Sequence, residues 1–202
     1  LTADTQHTPV RYHYDKRHLV PFGEFIPEGF HWFMTLMSIP LGDQARGSTK
    51  QPLLALKNQR IGFNICYEDI FGEELLSQVK GTRNGKGPHT GGATILANLT
   101  NLGWFGNSHA LPQHLQIARM RALETARPII RSTNTGMTAV ISAHGIVQIR
   151  LRPHETGTLK ATLQGHTGLT PYVRLGGNAP VLGLSLALVA IGTLPARPRR
   201  PA

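Results

Sequence analysis

Cysteine is almost absent: Cys66 is the only one in 202 residues. A single thiol excludes an internal disulfide framework and a multi-cysteine zinc site. Acidic side chains are scarce as well, 11 against 21 Lys and Arg, which leaves a net charge of +10. Charged residues make up only 16% of the chain and apolar residues 40%. That balance excludes a disordered charged tail and a coiled coil. Glycine and proline are frequent, at 22 and 14, but follow no repeat, so a collagen-like chain is excluded too. No G-x-S-x-G elbow occurs. The glycine-rich stretch Gly81–Gly92 (GTRNGKGPHTGG) lacks the Gly-Lys-Ser/Thr ending of a phosphate-binding loop and reads as a plain loop. His109 and His114 have no acidic partner at ligand spacing, so neither a metal nor a cofactor is expected.

The basic balance favours polyanions in principle. Yet the charges are scattered, and only Arg197, Arg199 and Arg200 cluster. With no zinc-finger spacing and no aromatic-basic RNA signature, a basic solvated surface is the better reading, and nucleic acid is not an expected partner. The first residue is Leu1 rather than Met, and no charged segment followed by an apolar run opens the chain. The chain reads as a piece of a longer protein, one to two domains in length.

Alternation and β-branched content predict strands over Val10–Tyr14, Arg60–Ile65, Ala93–Asn98, Pro128–Thr133, Met137–Ser142, Ile146–Arg150 and Thr158–Leu163. Ser142–Gly145 reads as a hairpin turn between two of them. Helices are expected over Phe71–Val79 and Leu111–Ala126. In the second, Leu111, Leu115, Ala118, Ala122 and Ala126 form one apolar stripe. Interleaved strands and helices place the chain in the α/β or α+β class.

Two segments fit a water-soluble domain poorly. Phe30–Leu41 (FHWFMTLMSIPL) gathers Phe30, Trp32, Phe33, Met34, Leu36 and Met37. It is either a core helix or a surface that dips into lipid. Ala179–Leu194 carries no charge and is followed by Pro195 and the three arginines. It is shorter than the roughly 20 residues of a usual spanning helix. Its basic flank nevertheless fits a transmembrane segment with a cytoplasmic C-terminus.

The chemistry centres on Cys66. It ends an apolar strand-like run and enters Tyr67, Glu68 and Asp69. A lone cysteine at a strand end is commonly an inert small hydrophobe. At a strand-to-helix turn it is instead exposed at the sheet edge, where a thiolate nucleophile is useful. Glu68 and Asp69 read as helix N-terminal acids. Lys16 and Glu24 bracket the apolar stretch Leu19–Gly23. They are either surface charges or, if that stretch packs, a fixed lysine and carboxylate beside an oxyanion. Trp104 and Phe105, in a glycine-flanked loop, suit a pocket wall or a lipid contact.

Taken together, Tyr14–Pro27 (YDKRHLVPFGEFIP), Gly62–Glu74 (GFNICYEDIFGEE), Asn98–Gly106 (NLTNLGWFG), Gln113–Pro128 (QHLQIARMRALETARP), Arg131–Val140 (RSTNTGMTAV) and Thr170–Asn178 (TPYVRLGGN) resemble the apolipoprotein N-acyltransferases. These are the membrane branch of the nitrilase, or carbon-nitrogen hydrolase, superfamily. The resemblance implies a nitrilase-like α-β-β-α sandwich over residues 1–175, incomplete at its N-terminus. A transmembrane helix over 179–194 and a cytoplasmic basic tail over 195–202 would follow. It implies a Glu-Lys-Cys triad with Lys16 stabilising the oxyanion and Cys66 as nucleophile. Glu24 would be the supporting glutamate, and Tyr67 and Glu68 a pair needed for activity. Trp104, Phe105, Trp32 and Phe33 would meet substrate. The triad glutamate is expected upstream of Lys16, where only Asp4 stands and without the surrounding motif, so the chain alone is expected to be inactive. Leu102 stands where many relatives have Asp. The implied reaction moves an acyl chain from a phospholipid to the diacylglyceryl-cysteine of an apolipoprotein, on the periplasmic side of the inner membrane. Two other readings stay open: a nitrilase-type amidase acting on a small amide, and a non-catalytic membrane-associated binding module.

Overall fold

In the computed structural model, residues 12–30, 32, 36, 44–83 and 89–193 are described. Three apolar runs form the centre of the fold as parallel strands: β2 (Gln59–Ile65), β5 (Ile95–Thr100) and β6 (Ile129–Thr133). Antiparallel strands extend both edges. β1 (Leu54–Leu56) pairs with β2, while β7 (Ala139–Ile141) and β8 (Val147–Arg150) follow β6, giving the order β1-β2-β5-β6-β7-β8. β3 (Thr82–Arg83) and β4 (His89–Thr90) make a separate two-stranded ribbon inside the stretch that composition alone marks as loop.

Two helices supply the crossovers that parallel strands need. α1 (Gly72–Lys80) links β2 to the β3–β4 ribbon, and α2 (Ala110–Thr125) links β5 to β6. Leu111, Leu115, Ala118 and Ala122 are buried on α2, four of the five residues in the expected stripe. Ala126 instead caps the helix in the left-handed region. Leu75, Leu76 and Val79 of α1 join Leu115, Ala118 and Ala122 of α2 against Leu96, Ile129 and Ile141 of the sheet. Ser142 to Ile146 close the β7–β8 hairpin, with Gly145 at φ +70°. A side chain there would press on the Arg119 carbonyl oxygen and Leu123.

The expected sandwich is present as its α-β half. Among the described residues the helical layer covers one face of the sheet. On the other face Leu99, Ile130 and Ile149 are exposed in part, and the rings of Tyr12 and Tyr14 lie against Phe63. Two expectations are not met among the described residues: residues 12–14 pair with no described strand (10 and 11 fall outside the described residues), and residues 158–163 are irregular. Period-two alternation cannot supply a ladder partner, and a strand without one leaves its backbone groups unpaired. β1 went unforeseen, being only three residues long.

The C-terminal apolar run forms α4 (Ala179–Gly192), preceded by the short α3 (Pro171–Leu175). Gly176, at φ +84°, caps α3 in the left-handed region, where glycine fits without strain. α4 has 14 residues and buries none of them. It is about 21 Å long at 1.5 Å per residue, against a hydrocarbon core of roughly 30 Å. No described helix is long and apolar enough to cross a membrane. The basic tail lies outside the described residues.

Candidate active site

Cys66 sits immediately after β2, at the first position of a 3₁₀ turn, Cys66–Ile70. Its φ is +52°, a left-handed backbone that costs a non-glycine residue about 1–3 kcal/mol. The strain turns the thiol out at the C-terminal end of the parallel strands, where Sγ lies 3.7 Å from the carbonyl oxygen of Asn101. Something must hold so sharp a turn. The two acids after Tyr67 do so, in opposite directions.

Glu68 is buried, 2% exposed, and faces the 14–18 segment. Its Oε1 accepts the backbone N–H groups of Arg17 at 2.6 Å and His18 at 3.1 Å. Its Oε2 accepts the N–H of Ile65 at 2.6 Å and the Tyr14 hydroxyl at 3.1 Å. The carboxylate therefore fastens the backbone on either side of the nucleophile: its own turn, and the strand of chain carrying Lys16. Burial, followed by the Glu68 charge, raises the Tyr14 pKa above its ordinary value. Glu68 thus keeps the expected capping role, through the Ile65 N–H, and adds a longer-range clamp.

Lys16 is nearly buried, and its Nζ donates to both oxygens of Glu24 at 2.7 Å. Glu24 Oε2 also accepts the N–H of Val20 at 2.9 Å. Leu19, 2% exposed, anchors the stretch between them. The packing that sequence alone left open does occur, and the pair is fixed rather than free on the surface. The Tyr67 ring meets His18 and Phe71, with centroids 5.6 and 5.2 Å apart. His18 itself stacks on Phe71 at 3.7 Å and bonds Glu74 at 3.1 Å.

The loop after β5 carries Trp104, 82% exposed, and Phe105, 53% exposed, on a short 3₁₀ turn, Gly103–Phe105. Its base is tied down: Asn101 Oδ1 accepts from Gly103 N and from Asn134 Nδ2. Leu102 is fully buried, and a side chain on Gly136 would press on its Cδ1 at 2.7 Å. Trp32 is exposed at a helical position, and Phe33 lies outside the described residues.

Beneath the nucleophile lies a group that motif reading passed over. Asp69 is wholly buried; its Oδ2 lies 3.3 Å from Arg131 Nη1 and its Oδ1 accepts from Asn64 Nδ2 at 3.4 Å. Arg131 Nη1 also donates to Asn98 Oδ1 at 2.9 Å, and Asn98 Nδ2 donates to Asn64 Oδ1 at 2.5 Å. His114 on α2 brings Nδ1 to 3.8 Å from Asp69 Oδ2. Burial pushes the Asp69 carboxyl up to about 6, against the pull of Arg131, Arg121 and Asn64. Burial, reinforced by the Arg131 charge, lowers His114 to about 4. The signal was in the sequence: an arginine inside the apolar strand Ile129–Thr133 is a charge that must find partners.

Residues 4–172 match the carbon-nitrogen hydrolase family. Over 189 residues the chain is 56% identical to an apolipoprotein N-acyltransferase of Ralstonia nicotianae, covering 94% of this chain and 34% of that protein. Over 188 residues it is 51% identical to one of Bordetella bronchiseptica, covering 93% and 34%. The chain thus spans about a third of the length of these relatives. A solved carbon-nitrogen hydrolase superfamily protein of Xanthomonas campestris overlaps 92% of this chain and 60% of its own, at a TM-score of 0.49 and 18% identity.

Proposed function

The chain belongs to the carbon-nitrogen hydrolase family, and from that premise we propose that it is the Lys- and Cys-bearing part of an apolipoprotein N-acyltransferase. The observation that carries the proposal is the strained Cys66 turn clamped by Glu68 to the segment that holds the Lys16–Glu24 pair. Together with the named relatives, it supports acyl transfer in two half-steps.

In the first, the Cys66 thiolate attacks an ester carbonyl of a phospholipid. The thioester forms as the ester C–O bond breaks, and the lysophospholipid alkoxide leaves with a proton. In the second, the α-amino group of a diacylglyceryl-cysteine attacks the thioester. The amide forms as the C–S bond breaks, the amine proton passes to the proton-accepting glutamate and the thiolate is restored. A covalent thioester divides one slow transfer into two easier ones. Lys16 and a backbone N–H at the turn would stabilise the tetrahedral oxyanion; loss of one such donor costs about 10²–10³ in rate. Glu24 would hold Lys16 in place, and Tyr67 and Glu68 would hold the turn. We assign the proton-accepting glutamate to the upstream part of the longer protein. Trp104, Phe105, Trp32 and Phe33 would meet the lipid chains. α4 would anchor the domain on the periplasmic side of the inner membrane.

The test is intact-protein mass spectrometry after incubation with phosphatidylethanolamine in detergent. It would compare this chain with a form extended upstream. A hydroxylamine-labile acyl mass on Cys66 in the extended form is the expected result, with none after Cys66→Ala. A stable acyl adduct on Cys66→Ala would overturn the assignment. No adduct in either folded form would favour a small-amide amidase or a binding module instead.

A further inference from the structure

Two loops meet at the C-terminal end of the parallel strands, residues 101–106 after β5 and residues 134–138 after β6. One pair of amides joins them: Asn134 Nδ2 donates to Asn101 Oδ1 at 2.6 Å. Backbone donors fix which way both amides point. Asn101 Oδ1 also accepts the N–H of Gly103 at 2.9 Å, and Asn134 Oδ1 accepts those of Leu102 at 3.1 Å and Thr135 at 2.7 Å. One side chain of the second loop therefore holds Asn101 and Leu102 directly, and Gly103 through Asn101. Burial does not force these bonds, because Asn101 and Asn134 are both exposed and water would satisfy their amides at little cost.

The two loops differ in their own support. The one after β6 is closed by Thr138, whose Oγ1 accepts the N–H of Thr133 at 3.1 Å and donates to the Thr133 carbonyl oxygen at 3.2 Å. It is braced further by the N–H of His154, which donates to the Thr135 carbonyl oxygen at 3.1 Å. The loop after β5 leans on it: Leu102 is buried against Gly136, and Asn101 is bonded to Asn134. That dependent loop bears on the nucleophile. The Asn101 carbonyl oxygen is the group that lies 3.7 Å from Cys66 Sγ, and the turn that follows carries Trp104 and Phe105.

We propose that Asn134 is a positioning residue, the latch that fixes the Asn101 carbonyl oxygen against the Cys66 thiol and the Trp104–Phe105 turn beside it. In doing so it gives the site its preference for a long apolar chain over a short one. Asn134 touches no reacting atom in this role; it acts through the loop. The inference rests on the proposed function in taking Trp104 and Phe105 as the wall that an acyl chain meets, but the latch itself requires no acyl transfer.

The full chain is tested in one detergent at one concentration, with two readings. The first is the fluorescence anisotropy of Trp104 in a Trp32→Phe background, where it is the only tryptophan. The second is the ratio of Cys66 alkylation rates by N-dodecylmaleimide and N-ethylmaleimide, followed by mass. Cys66 is the only thiol and both reagents attack it, so its intrinsic reactivity cancels in the ratio. Asn134→Ala is expected to lower the anisotropy and to lower the ratio about tenfold, the low end of what a methylene-sized contact contributes to selection in an apolar pocket. Gly103→Ala disturbs the latch from the other side, since its Cβ would stand 3.2 Å from Asn101 Oδ1, and should move both readings the same way by less. Simple loosening of the cysteine turn speeds both reagents alike and leaves the ratio unmoved. Unchanged anisotropy in both variants overturns the proposal. So does lowered anisotropy with an unchanged ratio when Trp104→Ala lowers that ratio. If Trp104→Ala leaves the ratio unmoved, it is the aromatic wall of the proposed function that has failed, and the anisotropy alone decides the latch. If Asn134→Ala fails to fold, as judged by circular dichroism, Gly103→Ala decides.

Discussion

Glu68 and Asp69 are adjacent, equally buried and equally acidic in sequence, yet the two sides of the nucleophile turn that they serve are built differently. On the Glu68 side the carboxylate meets three backbone N–H groups and one hydroxyl, with no cation among its hydrogen-bond partners. On the Asp69 side it meets a guanidinium and an amide within a ring of side chains. Backbone donors fix where a chain segment lies. One acid therefore ties the lysine segment to the cysteine turn, and the other ties that turn to buried side chains of β2 and β6.

Substitutions sharpen that contrast. The largest effect is expected for Glu68→Gln. Its amide presents N–H groups to donors that need acceptors, leaving at least one pair unsatisfied in a buried site. The cost is about 3 kcal/mol. Displacing the lysine segment by an ångström should lower thioester formation about 100-fold. Thermal unfolding and the mass assay read both effects. A variant within 1 kcal/mol of the parent would show that the clamp is dispensable.

Asp69→Asn is milder at pH 7, within about 1.5 kcal/mol, because an uncharged amide keeps the ring's shape and avoids burying a carboxylate. Its signature is pH dependence. The folded value of Asp69, about 6, is raised above 3.8. Its contribution to stability is thus fully present below about pH 4 and lost as pH rises through 6. His114 runs the other way. Its folded value of about 4 is depressed from 6.5, so its contribution is present above 6.5 and lost as pH falls through 4. Between pH 6.5 and 4, Asp69→Asn should lose stability relative to the parent and His114→Gln should gain it, each by on the order of 2–3 kcal/mol. Parallel slopes in the two variants would rule out opposed titrations.

Tyr14→Phe removes one of four donors to Glu68 and leaves the three backbone bonds in place. It should cost about 1 kcal/mol in thermal unfolding, and a loss of about 3 kcal/mol would show that the hydroxyl rather than the backbone bonds carries the clamp.

Much of this was legible in the residues. The stripe on α2 and the apolar runs of β2, β5 and β6 gave the helical layer and the strands at the centre of the sheet, though not their parallel pairing, because period and length suffice for elements that long. Cys66, Lys16, Glu24 and Glu68 stood in motif blocks and were found through resemblance. The capping bond of Glu68 to Ile65 was legible, but its longer clamp was not, since those partners are backbone groups some 50 residues away in the chain. Nor was the ring, in which Asn64, Asn98 and Arg131 meet only once the strands are in register. The irregular course of residues 158–163 has the same origin, because alternation shows a wish for two faces and says nothing of a neighbour.

The polar row has a consequence for how the sheet assembles. Parallel strands built of aliphatic side chains offer several pairings of similar energy. Here a slip of β5 by one residue would turn Asn98 to the opposite face and set Ala97 or Leu99 beside Arg131. The guanidinium would then be sealed in without its Asn98 acceptor. Mis-paired sheets are penalised by the same side chains that hold Asp69 of the nucleophile turn, so that turn is completed only on a correctly threaded sheet.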